Sequence, residues 1–385
     1  MRAFVFTDAA LARHAGRFVW LSVDTERAGN AAFLERYPVE VWPSLLVIDP
    51  RDERVALSWA GSATVPQLVA LLDDAERALK GGTQGADALL ARADRLAGEG
   101  AKAQAATTYR EALQRAPPEW PRRARTVESL LLSLAMSDAT EECVSVARAE
   151  LPKMEASPSR ANAAVLGLGC ALELQSSQEG RMAALQELEG QVRQAIALAT
   201  SAPPAIAIAA DDVSSMYETL VSARRAADDP TGAKRDAAEW ARFLEREAER
   251  GATAEQRAVF DPHRLMAYLA LGEPERAVTM LQQSERALPD DYNPPARLAY
   301  VYKEMGRYDD ALAASERALA RAYGPRRLRV LQTRAEILAA KGDPAAARAT
   351  LEGALRELDA LPKPQQTEGA RKRLTQQLEA LAASR

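Results

Sequence analysis

The sequence predicts a short α/β segment over residues 1–79, a linker at 80–86, and an all-α superhelical array of antiparallel helix pairs over 87–385. Three observations carry this. Gly272, Gly306 and Gly342 recur at spacings of 34 and 36 residues, each followed five positions later by alanine: Ala277, Ala311 and Ala347. A period near 34 in a helix-rich chain marks stacked helical hairpins. Apolar residues make up 47 % of the chain and aromatics only 5 %. The apolar content is therefore mainly Ala and Leu, which suits helices packed at close range. Finally, Lys80-Gly81-Gly82-Thr83-Gln84-Gly85 places three glycines in six residues and breaks the helical pattern there.

The first eighty residues read in order as helix end, strand, helix, strand, strand, helix. Asp8 caps a short helical continuation through Leu11. Phe18-Val19-Trp20-Leu21-Ser22-Val23-Asp24 is an apolar run ending in an acid, and predicts a buried strand. Asn30 is placed to cap a helix over Ala31–Tyr37, which Pro38 stops. Ser44–Asp49 predicts a second buried strand and Val55–Trp59 a third, closed by Gly61. Val65–Leu79 places Leu68, Leu71, Leu72 and Ala75 on one helical face.

These residues carry a resemblance. Phe18–Asp24, then Tyr37-Pro38-Val39-Glu40-Val41-Trp42-Pro43-Ser44-Leu45-Leu46-Val47-Ile48-Asp49, then Gly61, look like the thioredoxin family. Val41-Trp42-Pro43-Ser44 is similar to that family's cis-proline segment. The likeness implies a cis Trp42–Pro43 bond, and Trp42 and Pro43 as a substrate-docking segment whose backbone pairs with an extended chain. The family's first strand and its Cys-x-x-Cys are missing, and Met1–Phe6 resembles the later turns of the helix that the dithiol opens. Two readings follow. The chain is a dithiol-less relative that keeps the fold for binding, or its start is assigned too late and the dithiol and an export signal lie upstream. The second is favoured, because a sheet lacking a central strand exposes unpaired edges.

After the linker, Leu89–Pro117 looks like one tetratricopeptide repeat. Leu89, Ala93 and Leu96 line a first helix, Gly100 makes the turn, and Ala105, Tyr109, Ala112 and Leu113 line a second. Three later hairpins match it, with turns at Gly272, Gly306 and Gly342. An acid-Pro-x-x-Ala pattern recurs at Asp229, Glu273 and Asp343, with proline in a helix's first turn, where its missing N–H has no partner in any case. Between the two matched ends, helices are expected near 123–137, 140–150, 159–175, 180–199, 205–226 and 231–250. The total is about seven hairpins and a polar capping helix over 365–383.

Charge is balanced, with 50 Lys+Arg against 54 Asp+Glu. Nothing there points to nucleic acid, and no apolar run reaches the ~18–20 residues of a membrane span. The start lacks a signal-peptide pattern. The chain as numbered is therefore expected in the cytoplasm, and in the periplasm if an export signal precedes it. Cys143 and Cys170, 27 residues apart, read as two buried inert thiols rather than a regulatory disulfide. His14 and His263 stand alone, so neither a metal nor another cofactor is expected. Asp24, Glu26, Asp49 and Asp52 read as strand-end and turn acids rather than general acid–base pairs. Arg326-Arg327 with Arg329 and Arg334, and Arg122-Arg123 with Arg125, read as solvated helix faces, with docking of an acidic peptide as the alternative.

The repeat resemblance implies a concave partner-binding face lined by the first helix of each hairpin. Asn293, Tyr300, Lys303, Arg329, Gln332 and Glu336 are its candidates, against the alternative of an ordinary wet helix face. The expected function is recruitment of a protein or peptide client through a helical-repeat groove. The alternative is a thiol–disulfide oxidoreductase with its dithiol upstream of Met1.

Overall fold

The computed structural model describes residues 5–81 and 84–383. The expectation for Met1–Phe6 therefore falls mostly outside the described residues, as do Gly82 and Thr83 of the linker. A 3-10 turn at Ala9–His14 comes first, capped by the Asp8 carboxylate accepting from Ala10 N at 2.8 Å. Then follow α1 (Ala31–Arg36), β1 (Ser44–Ile48), β2 (Val55–Ala60) and α2 (Val65–Leu79). The helical part runs α3 (Gly85–Gly98), α4 (Lys102–Arg115), α5 (Arg123–Ala135), α6 (Thr140–Glu150), α7 (Pro158–Glu173), α8 (Arg181–Thr200), α9 (Ala210–Ala226) and α10 (Pro230–Glu249). It continues through α11 (Ala254–Ala258), α12 (Asp261–Leu271), α13 (Pro274–Ala287), α14 (Asn293–Glu304), α15 (Tyr308–Leu319), α16 (Pro325–Ala340), α17 (Pro344–Ala360) and α18 (Glu368–Ala383).

The chain divides into two compact units. One joins the segment up to Phe18 with Val39–Trp240; the other joins Val19–Pro38 with Ala241 onward. Each is described by itself.

In the first unit, β1 and β2 form a two-stranded antiparallel sheet, with Leu46 opposite Ser58 and Val47 opposite Leu57. Thr64 and Gln67 close a capping box at the start of α2. Leu57, Trp59, Leu68, Leu71 and Leu72 bury one shared core. Helix α3 lies directly on β2: a Cβ at Gly98 would sit 2.9 Å from a Val55 methyl, so only glycine permits that approach. Three helix pairs follow, α3–α4, α5–α6 and α7–α8, and then α9 and the start of α10. The buried face of α3 is Ala86, Leu90, Ala93, Asp94 and Gly98. That is a correction, since Leu89 and Leu96 were expected there and are half-buried. Asp94 explains the rotation. It takes a 2.8 Å hydrogen bond from the Tyr109 hydroxyl and a 2.5 Å ion pair from Arg125, which turn that edge of the helix inward.

Cys143 and Cys170 are bonded, with Cα atoms 6.2 Å apart. This overturns the reading of two inert thiols. Helices α6 and α7 pack against each other, which brings the two positions together. A Cβ at Gly167 would lie 2.6 Å from that of Ala147, so the two helices touch backbone to side chain.

In the second unit, α12–α13, α14–α15 and α16–α17 pair, and α18 packs last. Gly272, Gly306 and Gly342 end α12, α14 and α16 with φ of 77°, 71° and 92°. Those left-handed values favour glycine and explain the 34-residue period. Ala277, Ala311 and Ala347 are fully buried, as close pairing demands. The predicted strand over Phe18–Asp24 is absent: residues 19–24 are irregular, and Val19 and Leu21 are 88 % and 79 % exposed. Side-chain ion pairs hold the end of this segment, and no backbone ladder does. Asn30 does not cap α1. Its amide donates to the Asp24 carbonyl at 2.8 Å and folds the segment back on itself.

Candidate functional site

Proline starts α16, and Gly324 just before it has φ of 52°. That turn places Tyr323, Arg326 and Arg329 at one end of the helix, with Tyr292 preceding α14. The segment Val19–Pro38 rests there. The Asp24 carboxylate accepts from the Tyr323 hydroxyl and lies 3.4 Å from Arg326, and Glu26 pairs with both Arg326 and Arg329. Gln365 donates to the Thr25 carbonyl at 3.1 Å. The Arg27 guanidinium lies over the Tyr323 ring at 4.4 Å, and Arg326 over the same ring at 4.4 Å. Helix α1 continues the contact onto the 3-10 turn Lys363–Gln365. A Cβ at Gly324 would meet the Glu26 carbonyl at 2.3 Å, so the fit relies on that glycine.

The electrostatics agree with the geometry. Partial burial works against ionisation of Asp24, but the Tyr323 hydrogen bond, the Glu26 amide and Arg326 outweigh it and hold the carboxyl below its usual range. Burial and the Asp24 hydrogen bond raise the Tyr323 hydroxyl. Burial works to lower Arg326, and the hydrogen bond and charge of Glu26 overcome it.

Of the residues expected to bind a partner, Arg329 belongs to this contact. Tyr300, Lys303 and Glu336 come together elsewhere on α14 and α16. Lys303 Nζ reaches Glu336 at 2.7 Å and Glu304 at 3.2 Å, and stands 5.0 Å from the Tyr300 ring centroid. Gln377 donates to the other Glu336 oxygen at 2.9 Å. Burial would lower the Lys303 ammonium, and its hydrogen bond to Glu336 holds it raised instead. Gln332 lies on α16 one turn from Arg329 and one from Glu336, half-buried. Asn293 is not brought in, because its amide is spent on Asp291 at 2.7 Å. The sequence reading missed Tyr292, Tyr323, Gly324 and Gln365. It noted both the arginines and the acids, but nothing local says that groups 300 positions apart meet.

Trp42–Pro43 is cis and Trp42 is 65 % exposed. The Pro43 carbonyl accepts from Gly61 N at 2.8 Å and the Val41 carbonyl from the Ser44 hydroxyl at 2.6 Å. Asp49 and Asp52 are each taken by the arginine two positions on, and the Arg51 hydrogen bond lowers Asp49 to about 2. His14 is fully buried beside Phe18. Among the described residues, no three His, Cys, Asp or Glu side chains gather as a metal site, and no helix is long and apolar enough to cross a membrane.

Residues 292–356 match the tetratricopeptide repeat family, the stretch from Tyr292 through most of α17. No curated protein matches the chain. Solved structures similar to it include a tetratricopeptide repeat protein from Parabacteroides merdae, at 12 % identity over 77 % of this chain and 98 % of that one, with a TM-score of 0.49. BtubC from P. vanneervenii is similar at 17 % identity over 60 % and 92 %, with a TM-score of 0.38. The TPR2AB domain of yeast Sti1, in a structure titled as its complex with pHSP90, is similar at 14 % identity over 77 % and 98 %, with a TM-score of 0.30. Residues 292–356 therefore carry tetratricopeptide repeats.

Proposed function

We propose that this protein recruits a polypeptide client through its repeats, and that the Tyr323–Arg329 end of α16 receives an acidic segment. One observation carries the reading: the repeats already hold polypeptide, their own Val19–Pro38, through Asp24 and Glu26. That segment is a stand-in for the client. Two acids separated by one residue meet an arginine pair flanked by aromatic rings, a combination common at interface anchors. Tyr300, Lys303 and Glu336 extend the same helix faces and are read as a second contact.

The α/β piece is read as a thioredoxin-like remnant that offers Trp42 and Pro43 as a further docking surface. The order β1, β2, α2 after the cis-proline segment supports this reading. The Cys143–Cys170 bond lies buried between α6 and α7 and is read as structural.

The test uses a fluorescent peptide of sequence Val19–Pro38 and the full chain. A tethered segment competes at an effective concentration on the order of millimolar, so wild type should bind the peptide weakly. Charge reversal of the tethered acids, Asp24→Lys with Glu26→Lys, should open the site and raise affinity at least about tenfold. Adding Arg326→Glu and Arg329→Glu should abolish the gain. Equal binding by all three proteins refutes the proposal.

A further inference from the structure

In the first unit α3, α4, α5, α7, α9 and the β2 turn line a cavity of about 200 Å³ that opens to solvent. A single water needs only ~10–15 Å³ of such space, so there is room for a ligand of several heavy atoms. Trp59, Tyr109 and Leu132 give it apolar walls, and Glu128, Asn162 and Asp212 a polar end. Glu128 on α5 is 7 % exposed. Its Oε1 accepts from Asn162 Nδ2 at 2.8 Å, while Oε2 is buried with no hydrogen-bond partner. Asp212, in the first turn of α9, likewise buries an Oδ2 with none. Two buried acceptors left open on one cavity wall are costly unless something fills them.

The cations nearby are already committed. Arg125 on α5 is bound to Asp94 of α3, and Lys102 of α4 donates to the Ala97 carbonyl at 3.1 Å. Asp211 on α9 is held by the Ser62 hydroxyl of the β2 turn. Among the described residues no ion pair reaches Glu128 or Asp212, and Arg125 acts on Glu128 only through its charge. Their charges also oppose each other, since Asp212 raises Glu128 further. A carboxyl pair in that position either keeps protons or takes a cation from outside.

We propose that this cavity binds a primary ammonium group on a short alkyl chain, with Glu128 and Asp212 as counter-charges and Trp59 against the methylenes. A lysine side chain of a client polypeptide and a free alkylamine share this chemistry. Burial holds Glu128 up at about 8 and Asp212 at about 7, so an entering ammonium displaces protons from the pair. The inference does not depend on the acidic-segment site, which lies in the other unit.

The experiment is isothermal titration calorimetry of the full chain near pH 7, in two buffers of different ionisation enthalpy. Probes are butylamine, an acetylated lysine-containing tetrapeptide and uncharged 1-pentanol. At least one ammonium probe should bind saturably and release protons, and pentanol should not bind. Binding by butylamine assigns the site to a free amine; binding by the peptide alone assigns it to a client lysine. Glu128→Gln and Asp212→Asn should each weaken binding at least about tenfold. Thermal unfolding of each variant verifies that it folds. Binding of neither ammonium probe overturns the proposal, as does equal binding of pentanol or undiminished affinity in folded Glu128→Gln.

Discussion

At the scale of single residues, the buried acids separate what sequence shows from what packing decides. Glu128 reads in sequence as one more polar position on a helix. Only the walls of the cavity make it a carboxyl whose range is shifted from 4.5 to about 8. The sign of its effect on stability follows. Between those values the folded protein keeps a proton that the unfolded chain has lost. The contribution is complete below about pH 4.5 and is lost as pH rises through about 8. Without ligand, Glu128→Gln should therefore leave the melting temperature unchanged near pH 4 and raise it by about 5 °C or more near pH 9. Melting curves at the two pH values check this, and an equal shift at both would contradict it. Asp94 teaches the same lesson. Its bonds to Tyr109 and Arg125 shifted the buried face of α3 by one position, and periodicity of apolar residues contains no such information.

At the scale of elements, the sequence was most legible where backbone conformation is dictated. The left-handed turns after α12, α14 and α16 require glycine, so the spacing of Gly272, Gly306 and Gly342 placed those hairpins directly. The weakly patterned middle was also legible: α5 to α10 fall where their apolar faces put them, though α9 starts five residues later than expected. The strand over Phe18–Asp24 was illegible for a physical reason. A strand needs a neighbour to pair with, and an apolar run does not say whether one is present. The disulfide was legible only in part: the sequence puts 143 and 170 on successive helices, and their packing decides that the two sulfurs meet. It closes a loop of 27 residues, for which chain entropy gives about 3–4 kcal/mol. Replacing both cysteines by alanine should cost roughly that amount in denaturant unfolding, and reductant should remove the difference from wild type. Gly167→Ala should cost roughly 1–3 kcal/mol, since the new methyl meets Ala147 with no space to occupy. An unchanged unfolding midpoint would show that α6 and α7 part freely.

At the scale of the molecule, the repeat array was readable and its occupancy was not. The acids at 24 and 26 and the arginines at 326 and 329 are each unremarkable locally. They are paired by a chain path that brings Val19–Pro38 into the same unit as α14 to α18. The contact is largely ionic, so salt should loosen it. Trypsin cleavage after Arg27 should accelerate several-fold at about 0.5 M salt, and the Asp24→Asn, Glu26→Gln variant should be cut at the fast rate at every salt concentration. Salt-independent cleavage of wild type would remove ion pairing as the cause.

The central claim is that these repeats hold polypeptide and can exchange their own segment for another. Hydrogen exchange on residues 24–37 of the wild-type chain, with and without Val19–Pro38 peptide above the roughly millimolar effective concentration of the tether, tests it most directly. The account predicts protected amides that lose protection as peptide is added. Amides in this segment that exchange at unfolded-chain rates without peptide would contradict it.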